Sequence, residues 1–188
     1  MGKSLRGKCL VSAAHLRDPN FYKTVVLLVE HGDHGAMGLV INRPSSILVR
    51  NALAGHFDLP DSDDLVFCGG PVEPAALLIL HNADDLSGGE CPVAPGVYIG
   101  NSAEAFAEVV RRAACEDCGL KFRIFSGCAG WAPGQLENEL ERGDWHIGPG
   151  CRDVVFNEDP YAIFDQMLQR VFEEHRLLPH TCPNPQWN

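Results

Sequence analysis

The sequence predicts a single α+β domain, and three observations carry that prediction. Strand-like apolar runs occur as a hairpin and in clusters, without the regular strand–helix–strand alternation of a doubly wound sheet. Two continuous, β-branched runs at 24–30 and 36–42 flank a glycine-containing segment at 31–35, the pattern of a hairpin whose strands are buried on both faces. A chain of 188 residues fits one domain and buries roughly 70% of its unfolded surface on folding, so it needs no metal or disulfide staple.

Each element follows from local chemistry. Residues 9–12 read as a short strand, and Asp18-Pro19-Asn20 as a turn, since Asp and Asn favour turns and Pro fixes φ. After the hairpin, which Arg43-Pro44 closes, 49–54 read as a short helix, 65–68 as a brief strand and 76–81 as another. The polar, Gly- and Pro-rich stretch 82–95 is an exposed connection. A strand at 97–99 leads directly into a helix with Asn101 as N-cap and Glu104 three positions on, a capping box. Its apolar face is Ala105, Phe106, Val109, Val110, Ala113 and Ala114. Residues 120–126 form a strand that runs into a glycine turn, and 133–142 a helix with Gly143 beyond its end. Short strands follow at 145–147 and 154–156. Asp159-Pro160 opens the last helix, whose face is Ile163, Phe164, Met167, Leu168, Val171 and Phe172, with His175 and Arg176 suited to its C-terminal dipole. The domain is expected to span 1–178 and the Pro- and Asn-rich segment 179–188 to be a loose tail.

Composition narrows the function classes. The net charge of −10 and the scatter of the basic residues weigh against direct nucleic-acid or anionic-membrane binding, which needs clustered Lys and Arg. No apolar stretch approaches the roughly 20 residues that span a bilayer. Residues 1–8 are basic, but the apolar stretch 9–12 is too short for a signal-peptide core, so a cytoplasmic location is expected. The eight cysteines are irregularly spaced and read as reduced thiols acting as small hydrophobes.

The segment Gly127-Cys128-Ala129-Gly130-Trp131-Ala132-Pro133-Gly134-Gln135 reads as a strand–glycine turn–helix junction, where backbone N–H groups at a helix start can face an anion or polar ligand. Four ordered blocks then carry a family resemblance: His15-Leu16-Arg17-Asp18-Pro19-Asn20-Phe21 running into 24–28; Glu30-His31 with 35–44; Gly69-Gly70-Pro71-Val72 with Leu80-His81; and Ala129-Gly130-Trp131 with Gly134-Gln135-Leu136-Glu137, Glu139 and Trp145. Over about residues 8–170 the chain resembles the bacterial AlgH/YqgE-like proteins. It departs from their pattern at Lys23, where Arg is usual, at Ala14, where many have Pro, at Cys115-x-x-Cys118 and after Arg170. The resemblance implies a strongly coiled, mostly antiparallel sheet flanked by helices. It implies no catalytic residues, because no activity is established for the family, some of whose members are labelled transcriptional regulators.

The first functional expectation is a non-enzymatic, cytoplasmic regulatory module that binds a small ligand or a protein partner, without cofactor or metal. Its candidate ligand-binding residues are Asn42, Arg43, Gly69, Gly70, Trp131, Gln135 and Glu137. Arg43 has the fork for a carboxylate or phosphate, or for an internal ion pair with Glu137 or Glu139. Trp131 can stack on a flat ligand or pack in the core. The alternative is a thiol- or zinc-dependent enzyme. Cys128 at a helix start would be an activated nucleophile with His31 or His81 as base, or Cys115 and Cys118 would supply half a zinc site, completed by His31 and His34. Against it stand the missing second CxxC pair and the absence of G-x-S-x-G and P-loop patterns. A direct DNA-binding regulator is the third expectation, and the charge pattern opposes it.

Overall fold

The computed structural model describes residues 4–56, 63–100, 102–113 and 119–174. Among these residues nine strands form one mixed sheet: β1 (Lys8–Ser12), β2 (Val25–Gly32), β3 (Gly35–Val40), β4 (Pro44–Leu48), β5 (Leu65–Cys68), β6 (Val72–His81), β7 (Tyr98–Gly100), β8 (Phe122–Trp131) and β9 (Trp145–Pro149). Five α-helices among the described residues accompany it: α1 (Val49–Ala52), α2 (Ala103–Ala113), α3 (Gln135–Glu141), α4 (Arg152–Val155) and α5 (Ile163–Glu174). The strand order is β4-β5-β8-β3-β2-β1-β9, with β6 bound to both β7 and β8. Among the described residues only β5 and β8 pair in parallel; the other pairings are antiparallel. The α+β architecture expected from the sequence is the one found.

Strand β8 is the seam of this sheet. Its first half pairs with β5 (Phe67 with Phe125) and with β6 (from His81–Phe122 to Leu77–Ser126). Its second half pairs with β3 (Met37 with Gly130, Ala36 with Trp131). Gly127, between the halves, has a φ of 71°, in the left-handed region that favours glycine. A strand can therefore turn a corner there without ending. The expected glycine turn after residue 126 is thus a bend inside one ten-residue strand. The chain leaves the sheet only after Trp131.

The sheet curls so that its two halves share one core. Cys9, Val11, Val25, Leu27 and Leu39 from one half meet Phe67, Leu80, Val97 and Phe125 from the other, closed by Val154, Val155, Ile163, Phe164, Met167 and Val171. Strand β2 is buried from Val25 to Val29, as its continuous apolar run demands. Its alternate residues Val26 and Leu28 face a second cluster with Leu10, Val40, Trp131, Leu136 and Trp145. Helices α5 and α3 contact opposite faces of the β9-side strands. A third cluster joins Val49, Leu53, Val66, Ile79, Val109, Val110 and Ile124 beneath α1 and α2.

Several elements depart from the sequence reading. Strands β2 and β3 continue to Gly32 and Gly35, leaving a two-residue turn in place of a five-residue loop. Residues 44–48, not anticipated, form edge strand β4. The expected strand 154–156 is the short helix α4, whose Cys151 carbonyl accepts from the Val154 and Val155 N–H groups. Asp159 does cap, but it caps a turn: its Oδ1 accepts from the N–H groups of Tyr161 and Ala162, and α5 starts at Ile163. Phe172, expected on the apolar face of α5, is exposed and its ring sits tilted against His146. The expected cap Asn101, Ala114, His175, Arg176 and the tail 179–188 lie outside the described residues, as does the side chain of Ala105.

Candidate functional site

The candidate residues from the sequence divide between two regions, and most have internal partners. Asn42 is buried: its Oδ1 accepts from the Val25 N–H (2.9 Å) and its Nδ2 donates to the Lys23 carbonyl (3.0 Å). Arg43 spreads its fork over three carbonyls, donating to those of Asn20 (2.7 Å), Tyr22 (2.9 Å) and Pro19 (3.2 Å). The ion pair expected with Glu137 or Glu139 is replaced by this clamp on the 18–23 turn. The turn carries Phe21, whose ring stacks 6.1 Å from Trp131 and lies edge-on to Trp145 at 5.5 Å. Trp131 is buried and donates its indole N–H to Glu139 Oε2 (2.8 Å), as Trp145 does at the same distance. Gln135 donates to Glu139 Oε1 (2.9 Å) and accepts from the Ala132 N–H. Glu137, exposed, accepts from His31 Nε2 at 3.0 Å. His31 Nδ1 accepts from the Leu5 N–H, which fixes the tautomer with the proton on Nε2. Gly69 and Gly70 lie against the backbone of Gly127 and Cys128, where a Cβ on either would overlap a peptide group.

The chain does bring its distant glycine corners together, but backbone to backbone. Of the seven, Asn42 and Arg43 border a cavity of about 350 Å³ lined also by Lys23, Pro44, Tyr161, Phe164 and Asp165.

A larger groove of about 640 Å³ adjoins that cavity across Pro44 and Tyr161. It runs past the start of β8, with Phe67, Phe122, Phe156 and Leu65 among its apolar walls and Asp63, Asp64, Lys121 and Glu158 among its polar ones. Arg123 lines it. Its guanidinium lies 4.4 Å from the centre of the Phe67 ring, and Nη1 donates to the Ile41 carbonyl at 3.1 Å. Nη2 donates to the Asn157 carbonyl. Among the described residues no carboxylate comes within ion-pair distance of it. Burial pushes Arg123 down to about 10, so it stays cationic at neutral pH.

Comparison with known proteins places this geometry. The AlgH-like family model matches residues 9–176. The chain belongs to the AlgH-like family. A UPF0301 protein of Chlorobaculum tepidum is 35% identical over 182 residues, covering 97% of this chain and 95% of that one. A UPF0301 protein of Marinomonas is 36% identical over 159 residues, 82% of each chain. The solution structure of the AlgH protein of Pseudomonas aeruginosa superposes with a TM-score of 0.72 at 29% identity, over 96% of this chain and 98% of that one. A crystal structure from Corynebacterium diphtheriae, at 24% identity and a TM-score of 0.70 over 90% and 88% of the two chains, shares the fold.

In this AlgH-like chain the thiol chemistry meets specific obstacles. Cys128 lies within β8, not at a helix start, and it is buried; desolvation, then the nearby Glu73 carboxylate, pushes its thiol up, away from the nucleophilic thiolate. His81 pairs with Phe122, six residues from Cys128 along β8, roughly 20 Å at the rise of a strand. His31 is engaged by Glu137 and Leu5. Cys9 is buried, and desolvation, with Cys151 nearby, pushes it up to about 12. Cys9, Cys68, Cys91, Cys128 and Cys151 are all unlinked. Cys115 and Cys118 lie outside the described residues; among the described ones no cluster of three His, Cys, Asp or Glu side chains is placed to hold a metal. No described helix is long and apolar enough to cross a membrane.

Sequence reasoning missed Arg123. One signal was present: a charged residue in the middle of an apolar strand, Leu120 to Ser126, needs a partner. What that partner is depends on Ile41, Phe67 and Asn157, all distant in sequence.

Proposed function

We propose that this AlgH-like protein is a non-enzymatic, cytoplasmic regulatory module that binds a small molecule in the groove lined by Arg123. One observation carries the reading: a half-buried guanidinium borders an open space of ligand size with two carbonyls and a ring as its partners and no counter-ion among the described residues. A cation so placed is costly unless an external group supplies the opposite charge. The adjoining cavity with Asn42 and Arg43 extends the same surface. The raised Cys128 thiol and its separation from His81 support a binding role over thiol catalysis. The uncrosslinked cysteines and the acidic balance of the chain support the cytoplasmic assignment.

The test is a thermal-shift screen of pooled cytoplasmic metabolites against the wild type, Arg123→Gln and Tyr161→Ala. A compound that raises the wild-type Tm and loses that effect in both variants supports the reading. Compounds that stabilise all three proteins equally, or none that stabilises the wild type, refute it.

A further inference from the structure

We infer that the groove selects a small organic monoanion, a carboxylate carried on a flat apolar body, with the anionic head on Arg123. This deepens the groove reading and rests on it. A guanidinium has five N–H donors, of which two are used among the described residues, one each to the Ile41 and Asn157 carbonyls. Those two bonds and the Phe67 ring beneath fix the plane of the fork before any ligand arrives. A prepositioned, partly desolvated fork matches the paired oxygens of a carboxylate or phosphate, and little rotamer freedom remains to be lost on binding.

The walls specify the rest of the molecule. Phe122, Phe156, Leu65 and the exposed ring of Tyr161 offer flat apolar surface beside the fork. The rim sets the limit on charge. Asp63, Asp64 and Glu158 line the same groove and oppose a ligand with several negative charges, while Arg123 and Lys121 are the only cationic side chains among its described lining residues. One negative charge at the head is matched; a polyphosphate or a nucleic-acid backbone would set further charges against the three acids. The groove volume of about 640 Å³ suits a body of one or two rings.

The experiment follows the Arg123 Nε–H signal and the backbone amides of Phe122, Ile124 and Tyr161 by NMR in isotope-labelled full-length protein. The probes are 3-phenylpropionate, phenyl phosphate, the neutral 3-phenylpropionamide and inorganic triphosphate. The expected result is binding of 3-phenylpropionate at least about tenfold tighter than the amide, the factor that one charge-assisted hydrogen bond supplies. Phenyl phosphate, largely a dianion at neutral pH, and triphosphate are both expected to bind more weakly than 3-phenylpropionate. Arg123→Gln should erase the preference for anion over amide, and Arg123→Lys should keep part of it; the wild-type comparison stands alone should either variant fail to fold. Equal affinity for amide and carboxylate, or tighter binding of triphosphate, overturns the monoanion assignment and leaves the groove occupied. Unmoved groove signals with all four probes overturn the monoanion assignment, while the metabolite screen, which does not presuppose an anion, decides the groove reading separately.

Discussion

Gly69, just beyond β5, packs its Cα against the carbonyl of Gly127 in the middle of β8. The Gly69 N–H donates to the Ser126 carbonyl and its own carbonyl accepts from the Val40 N–H, both at 2.9 Å. The contact is where β5 hands its neighbour over to β3, so an added methyl must part the two backbones or break those bonds. Gly69→Ala and Gly127→Ala are each expected to cost about 3 kcal/mol or more, and Gly127→Ala adds the strain of its positive φ. Gly130→Ala is the control, since its nearest neighbour would be Val72 Cγ2 at an ordinary 3.5 Å. Urea denaturation measures all three, and a Gly69→Ala protein as stable as Gly130→Ala contradicts the seam.

Glu139 gathers two indole N–H groups on one oxygen and the Gln135 amide on the other. Glu139→Ala leaves both indoles without an acceptor in a buried cluster and is expected to cost roughly 2–4 kcal/mol. Glu139→Gln retains one acceptor oxygen but turns an NH₂ toward the Gln135 NH₂, a smaller loss of about 1–2 kcal/mol. Chemical denaturation followed by tryptophan fluorescence reports both the stability and the altered indole environment. Equal stability of Glu139→Ala and wild type would show that the three bonds contribute nothing net.

Arg43 works through the turn it clamps. Arg43→Lys keeps the charge but cannot reach three carbonyls with a planar fork, so the 18–23 turn should loosen and the Phe21 ring should lose its fixed seat on Trp131. The expected signs are a weakened near-ultraviolet circular dichroism band and a loss of about 1–2 kcal/mol. An unchanged band in Arg43→Lys means that the turn holds itself.

His81 is fully buried, stacked on Tyr98 at 5.9 Å, and neither ring nitrogen has a hydrogen-bond partner among the described residues. Desolvation lowers its affinity for a proton, and the backbone of Ala83 and the Asp85 carboxylate oppose that shift without reversing it. The folded protein therefore binds fewer protons than the unfolded chain just below the ordinary histidine value of 6.5. Stability is full above that value and falls as the pH drops through it. His81→Phe removes the two unpaired nitrogens, so its Tm should decline less than the wild-type Tm between about pH 7 and pH 5.5. Parallel Tm profiles for the two proteins would place the acid sensitivity elsewhere.

The fold was legible where apolar pattern and length agreed. The runs at 24–30 and 36–42 can satisfy their burial only as central strands, and β2 and β3 occupy that place. Edge strand β4 escaped because Pro44-Ser45-Ser46-Ile47-Leu48 is partly exposed and shows no alternation to read. Helix α4 read as a strand because Val154, Val155 and Phe156 are apolar in succession, and four residues are too few to display a 3.6-residue period. Strand β8 read as ending at Ser126 because glycine punctuates sequence whether it ends a strand or bends one. For the site, sequence reasoning found polar and aromatic residues at strand ends and at a helix start, and Arg43 and Trp131 sit at strand ends while Gln135 opens α3. It had no means of telling a fork spent on backbone carbonyls, as in Arg43, from one with donors left over, as in Arg123, because the carbonyls belong to other parts of the chain.

The seam strand also dictates an order of events during synthesis. Its neighbours β3, β5 and β6 are complete by residue 81, yet β8 starts at residue 122. At ribosomal rates of about 5–20 residues per second, the nascent chain carries their unpaired edges for some seconds before the strand that joins them exists. Native assembly must therefore wait for the second half of translation, and until then those open edges are available to neighbouring chains and to chaperones.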